Sequence, residues 1–351
     1  MTRPPSAQKT LPSVGEDVPQ GHRRAGEGPA SRAWEDRPVP ATATLRLPVR
    51  EPFDGAGLWR VLDARAVTGL ERTGPAGAYV RSLRLPGGAG VVELGLRDGG
   101  PVVGRLLLED AADAGAATGL VRRLLDLDAD PAAVDLHLTR DPALAPLVAA
   151  RPGLRVLGTV DPFELALRAV IGQQVSVAAA RTVLGRIVVA HGRALPPGLD
   201  PRQAGDGDAG GAAAATGAVE PPLRSLPSPA VVAALPDDAL PMPRARAATV
   251  RRLAAAVADG TVDLSGDADP AEVVAGLLAL PGIGPWTAGY VAMRALGDRD
   301  AFPAGDLVLR RSAAALGLPS EARALAAHAE RWSPWRSSAA GHLWAAAADA
   351  P

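Results

Sequence analysis

Between Leu280 and Ala288 the chain reads L-P-G-I-G-P-W-T-A, and twenty residues past Trp286 it reads G-D-L-V-L-R-R around Asp306. The first stretch has the form of a helix-hairpin-helix turn. Val273, Val274, Leu277 and Leu278 repeat at helical spacing and stop at Pro281-Gly282. Gly282 and Gly284 permit a tight turn with positive φ, and Pro285 suits the first position of a new helix. The amides of Gly282, Ile283 and Gly284, with the unpaired N–H groups of that second helix, make an anion site. A backbone phosphate fits it, in a contact that positions a protein without reading bases. An ordinary Gly-Pro corner has the same letters, and the spaced aspartate separates the two readings.

Asp306 is the candidate catalytic residue. Between Gly305 and L-V-L-R-R it is also a helix N-cap, and the two roles are compatible. A capping carboxylate is fixed in orientation at a helix end whose dipole favours negative charge. A carboxylate fixed in this way can stabilise positive charge that develops as a bond breaks, or orient an attacking water. Asp298 and Asp300 are rivals, but G-D-R-D reads as a solvated turn. Six of the eleven aromatic residues (Trp286, Tyr290, Phe302, Trp332, Trp335, Trp344) fall in residues 281–351. Trp286 and Tyr290 are four apart and share a helix face. Trp332 and Trp335, around Pro334, read as packing, as does His342.

These residues need elements to hold them. Thr42–Val49, Tyr79–Leu85, Val91–Arg97 and Val102–Leu108 read as antiparallel strands between Gly-rich turns, with a helix at Leu58–Val67. After Ala112 the pattern turns helical: Gly119–Leu127, Pro131–Leu138, Ala143–Ala149, Pro162–Val170 and Val175–Ala190. Helices resume near Pro229, continue at Arg244–Ala258 and the hairpin pair, and end with Leu307–Leu316, Ser320–Arg331 and Ser337–Ala348. The predicted class is α+β. A disordered tail (1–40) precedes a small antiparallel-sheet domain (41–112) and a helical domain (113–351), with 199–222 a flexible Gly/Ala-rich insertion.

Composition narrows the chemistry. With no cysteine there is no disulfide, no thiolate nucleophile and no cysteine-held iron–sulfur cluster. The five histidines lack ligand spacing, so no transition-metal site is expected. No apolar run reaches the ~18 residues of a membrane span, and the N-terminus lacks a signal-peptide core. A cytoplasmic monomer is the expectation. The net charge of −1 does not help a nucleic-acid reading. Phosphate binding then rests on amides and on the clusters Arg244, Arg246, Arg251, Arg252 and Arg310, Arg311, each of which also fits a solvated helix face.

The hairpin and its aspartate resemble the helix-hairpin-helix DNA glycosylases, and within them the AlkA-type 3-methyladenine DNA glycosylases II. Three further blocks, in the family's order, carry the likeness: L-R-A-V-I-G-Q-Q-V-S-V-A-A-A-R (Leu167–Arg181), L-P-M-P-R-A-R-A (Leu240–Ala247) and E-R-W-S-P-W-R-S-S-A-A-G-H-L-W (Glu330–Trp344). The resemblance covers most of residues 41–351. It implies two helical lobes with a cleft, and a monofunctional enzyme that flips alkylated purines out of duplex DNA and hydrolyses the N-glycosidic bond. Asp306 is then the catalytic carboxylate. Trp286, Tyr290 and Trp344 line the base pocket, where a cationic base gains cation–π attraction. Gln174 takes the position of the side chain that fills the gap in the duplex. The carbonyls of Leu278, Leu280 and Ile283 are the implied ligands of a Na or K ion, and no other cofactor is implied.

Lyase relatives carry a Schiff-base lysine where this chain has Trp286, and here the only lysine is Lys9. The absence of cysteine from residues 1–40 argues against a fused zinc-bearing methyl-transfer domain there. Two alternatives remain open: a non-enzymatic helix-hairpin-helix DNA-binding protein, and a monofunctional glycosylase for another lesion.

Overall fold

The computed structural model describes residues 40–202, 220–265 and 268–349. The tail expected at 1–40 lies outside the described residues, Pro40 excepted.

Strand β1 (Ala41–Leu47) is followed by helix α1 (Gly55–Arg65), then by β2 (Glu71–Thr73), β3 (Ala78–Leu85), β4 (Gly88–Gly95) and β5 (Val102–Leu108). The sheet order is β1-β5-β4-β3-β2, antiparallel throughout. The edge strand β2 is absent from the sequence reading because E-R-T carries two charges. Both charges are buried, in pairs described below. The first helix after the sheet, α2 (Ala114–Leu124), packs Ala117, Val121 and Leu124 on one sheet face with Tyr79, Leu83, Leu94 and Leu106. Leu199 and Leu223 cover the opposite face against Val91 and Leu107. Leu199 and Asp200 are therefore buried, which corrects the start of the segment read as an exposed insertion. Residues 203–219 of that segment lie outside the described residues.

Helices α3 (Pro131–Leu138), α4 (Ala145–Ala150), α5 (Pro162–Ile171) and α6 (Val177–His191) follow. A two-residue pairing of β6 (Arg193–Ala194) with β7 (Arg224–Ser225) leads to α7 (Pro229–Ala233), α8 (Arg244–Ala258), α9 (Pro270–Leu278) and α10 (Pro285–Ala295). The chain ends in α11 (Leu307–Ala315), α12 (Ala322–Ala329) and α13 (Arg336–Asp349). Proline opens α3, α5, α7, α9 and α10, where the missing N–H costs nothing. Asp130, Asp161, Ser228 and Asp269 cap the first four with side-chain hydrogen bonds.

The helices pack around two apolar cores. One joins α5, α6, α8, α9 and α10; the other joins α3, α4, α11, α12 and α13. Helix α10 belongs to both, since Ala288 and Val291 face the first core and Met293 the second.

A buried charge network fastens the sheet to α5. The Glu71 carboxylate accepts from Tyr79 Oη at 2.7 Å, Arg81 Nη1 at 3.3 Å, Arg168 Nη2 at 2.6 Å and the Val67 amide at 2.8 Å. Glu164 accepts from Arg81 Nη2 at 2.8 Å and Arg168 Nε at 2.9 Å. At the sheet edge, Arg72 pairs bidentately with Asp200, both bonds at 2.7 Å. Trp332, only 1% exposed, donates to Asp141 Oδ2 at 2.8 Å and is packing, as is Trp335, whose ring Arg299 covers.

His342 is 1% exposed, and neither ring nitrogen has a hydrogen-bond partner among the described residues. Burial, reinforced by Arg151, pulls its pKa down to about 4. In the unfolded chain the same group titrates near ~6.5. Below that pH the unfolded state takes up a proton that the folded state refuses. The stability from keeping His342 neutral is thus complete above about 6.5 and drains away as pH falls toward 4, by roughly 3 kcal/mol. Urea denaturation should show the native chain losing that much more stability than His342→Leu between pH 7 and 4. Parallel pH profiles would contradict the assignment.

Candidate active site

The hairpin joins α9 to α10 through Ala279–Gly284. Gly282 adopts φ +95°, and a Cβ placed there meets Thr249 Oγ1 of α8 at 2.1 Å. Thr249 in turn donates to the carbonyls of Ala245 and Pro281. Glycine is required here both by conformation and by the close approach of α8. Gly284 is different: it caps α10 with extended backbone at φ −104°, and a Cβ would meet nothing within 4 Å. The expectation that both glycines supply positive φ is corrected to Gly282 alone. Gly284 instead has open space where a Cβ would stand. Gly282→Ala should cost about 1–3 kcal/mol through strain and collision with Thr249. A thermal melt checks this, and an unchanged melting temperature would remove the contact from the account.

Asp306 caps α11, its Oδ1 accepting from the Leu309 amide at 2.8 Å. It also holds two indoles. Trp286 Nε1 donates to Oδ2 at 2.8 Å, and Trp344 Nε1 donates to Oδ1 at 3.1 Å. Trp286 stacks on Tyr290 with centroids 5.5 Å apart and 11° between planes, and Trp344 meets Tyr290 edge-on at 6.1 Å. Three helices that start far apart in sequence (α10, α11 and α13) thus meet at one carboxylate, at the junction of the two helical cores. All four side chains are half-buried, so each keeps an accessible edge.

Tyr290 has a further partner. Arg294, one turn on, donates from Nη1 to its hydroxyl at 2.7 Å, with the guanidinium carbon 5.5 Å from the ring centroid. Burial pushes the Tyr290 hydroxyl toward a higher pKa, but Arg294, Arg65 and Arg168 outweigh it and draw it below the ordinary tyrosine value. Sequence reading missed Arg294, although its spacing of four from Tyr290 repeats that of Tyr290 from Trp286.

Gln174 lies in the turn before the long helix. Helix α6 begins at Val177, capped by Ser176. Gln174 is exposed and adopts φ +57°, a left-handed conformation that costs a non-glycine residue about 1–3 kcal/mol. The turn is braced from behind. Gln173 Nε2 donates to the Gly282 carbonyl and to Thr287 Oγ1, both at 3.0 Å, and Arg246 Nη2 donates to the Gln173 carbonyl at 2.6 Å. Gln173, Thr249 and Thr287 were not singled out from sequence, because their partners lie 32 to 114 residues away.

Several predicted phosphate ligands have structural duties. Arg246 holds the Gln174 turn, Arg251 pairs with Asp237, and Arg310 donates to the Ser320 carbonyl at 2.6 Å. The G-D-R-D segment is more than a solvated turn: Asp300 binds Arg336 and Ser333, each at 2.9 Å. Leu278 ends α9 with an exposed side chain, and the Leu280 carbonyl accepts from the Ile283 amide at 3.1 Å. Among the described residues no helix is long and apolar enough to cross a membrane.

Residues 44–161 match the family described as the AlkA N-terminal domain. The chain is 46% identical over 303 residues to a probable bifunctional transcriptional activator/DNA repair enzyme AlkA of Mycobacterium tuberculosis. That match covers 86% of this chain but 57% of the relative, so the chain spans little more than half of the relative's length. It is 33% identical over 302 residues to DNA-3-methyladenine glycosylase 2 of Escherichia coli, covering 84% of this chain and 94% of the relative. Among solved structures, a 3-methyladenine DNA-glycosylase from Archaeoglobus fulgidus superimposes with TM-score 0.72 at 19% identity, over 87% of this chain and 98% of that one. A Clostridium acetobutylicum 8-oxoguanine glycosylase/lyase in complex with duplex DNA gives TM-score 0.65 at 16% identity, over 89% and 98%. At these identities the two structures show a shared fold.

Proposed function

The chain belongs to the AlkA family of helix-hairpin-helix DNA glycosylases, and from that premise we propose that it is a monofunctional DNA glycosylase. It hydrolyses the N-glycosidic bond of alkylated purines, principally 3-methyladenine, in duplex DNA, as the first step of base excision repair in the cytoplasm. The observation that carries this reading is the Asp306 carboxylate gripped by the indoles of Trp286 and Trp344 beside the Tyr290 ring.

Methylation at N3 or N7 leaves the purine cationic and its glycosidic bond weak. The base rotates out of the stack onto the aromatic edges of Trp286, Tyr290 and Trp344. Gln174, held out by its left-handed turn, enters the space left behind. As the C1′–N9 bond breaks, the bonding pair goes to the base and positive charge moves to the sugar, where Asp306 stabilises it. Water adds at C1′ and releases a proton, leaving an intact strand with an abasic site. The amides of Gly282 and Gly284 grip a phosphate, while the Ile283 amide, already bonded to the Leu280 carbonyl, closes the turn that presents them. A Na or K ion at the neutral carbonyls of Leu278, Leu280 and Ile283, an all-oxygen set suited to a hard cation, would strengthen that grip. The enzyme acts as a monomer.

The test is release of free base from methylated duplex DNA. Release of 3-methyladenine, with strands that break only on alkali treatment, supports the reading. Duplex binding without base release points to a non-enzymatic binding protein. Strand breakage by the protein itself overturns the monofunctional assignment.

A further inference from the structure

Helix α10 carries a ladder at four-residue spacing: Trp286, Tyr290, Arg294. The upper end touches an anion, since Trp286 donates to Asp306. The lower end is a cation. Arg294 meets Tyr290 from the turn following it, while Trp286 stacks on Tyr290 from the turn before. The other contacts of Arg294 are neutral, to the carbonyls of Leu157 and Gly158. The neighbouring buried arginines differ. Arg81 and Arg168 are each matched by Glu71 and Glu164, whereas no carboxylate pairs with Arg294 among the described residues.

An unneutralised cation beneath an aromatic stack acts against binding a cationic base there. It withdraws π density from the rings and repels the charge directly. Binding strength alone therefore gives no reason for it. Catalysis does, because rate depends on the difference between bound substrate and transition state. In the bound alkylpurine nucleotide the positive charge sits on the base. When C1′–N9 breaks, the electron pair passes to the base, which leaves neutral, and the charge moves to the sugar. Water then supplies the oxygen at C1′ and loses a proton. Charge thus travels away from Arg294 and toward Asp306.

We infer that Arg294 is an electrostatic positioning residue for base departure: its guanidinium at the Tyr290 end of the ladder and the Asp306 carboxylate at the Trp286 end form a fixed field that moves positive charge from base to sugar. This rests on the alkylpurine reading of the site. For a neutral base such as hypoxanthine the same field favours the negative charge that builds on the leaving group, while binding of the uncharged base feels little of it.

The experiment uses the full chain with duplexes carrying one 7-methylguanine or one hypoxanthine, under single-turnover conditions. Arg294→Gln keeps a donor near the Nε position for the Leu157 carbonyl and removes the charge together with the bond to Tyr290; Arg294→Lys keeps the charge. Arg294→Gln should slow release of both bases about ten-fold, the size of one unscreened charge acting across the stack. It should also lower the half-saturating enzyme concentration several-fold for 7-methylguanine and leave it unchanged for hypoxanthine. Arg294→Lys should stay near the native values. A thermal melt checks folding, and Arg294→Met removes the same charge should the glutamine variant melt below the assay temperature. Equal losses in the lysine and charge-removing variants, with half-saturation unmoved, would make Arg294 a structural brace and overturn the inference. Native rates in the charge-removing variants would overturn it as well. A native chain that releases neither 7-methylguanine nor 3-methyladenine fails earlier and sinks the alkylpurine reading itself.

Discussion

Asp306→Asn should lower the single-turnover release of 3-methyladenine about 10²–10³-fold, the usual loss when one pre-placed electrostatic group is taken from a transition state. The fold should survive. Asparagine caps helices as well as aspartate does, so the bond to the Leu309 amide is retained. One indole contact is lost, because the new amide group cannot accept from both Trp286 and Trp344. Binding to abasic duplex should stay within a few-fold of native, since no hairpin amide is touched. That combination places Asp306 in the chemistry. A loss under ten-fold would move the reaction to another group, and parallel losses of binding and release would make Asp306 a fold residue.

The second large effect is on stability. Arg81→Met should destabilise the chain by about 3–5 kcal/mol, because it leaves Glu71 and Glu164 sharing Arg168 alone in a buried setting. Arg81 is 3% exposed and Glu71 7%, so solvent screens little of this. The network also sets an acid response. Burial pushes the Glu71 carboxyl up, but Arg168 and Arg81 outweigh it and hold its pKa below the ordinary glutamate value. A carboxyl depressed in the folded state contributes stability above its unfolded pKa and loses it as pH falls through the folded one. Arg81→Met should therefore flatten the decline in stability below about pH 4.5, near the ordinary glutamate range. Guanidinium denaturation at neutral and acid pH measures both effects. A penalty under about 1 kcal/mol would mean the pair is as dispensable as a surface ion pair.

The local chemistry of the chain is legible from its residues alone. The hairpin, the Asp306 cap, the proline-started helices and the four long strands all depend on residues within a few positions of one another, where sterics and capping bonds act. The family followed from blocks of such local features in order. Tertiary structure decided the rest. It alone joined α10, α11 and α13 so that two indoles donate to one carboxylate. It gave the turn at Gln174 its brace through Gln173 and assigned Arg246 to protein rather than phosphate. It also turned a charged tripeptide, Glu71–Thr73, into a buried edge strand by supplying Arg81, Arg168 and Asp200 as partners. A charge reads as exposed until its partner is known, and partners separated by 10 to 128 residues share no spacing rule that a linear reading can detect.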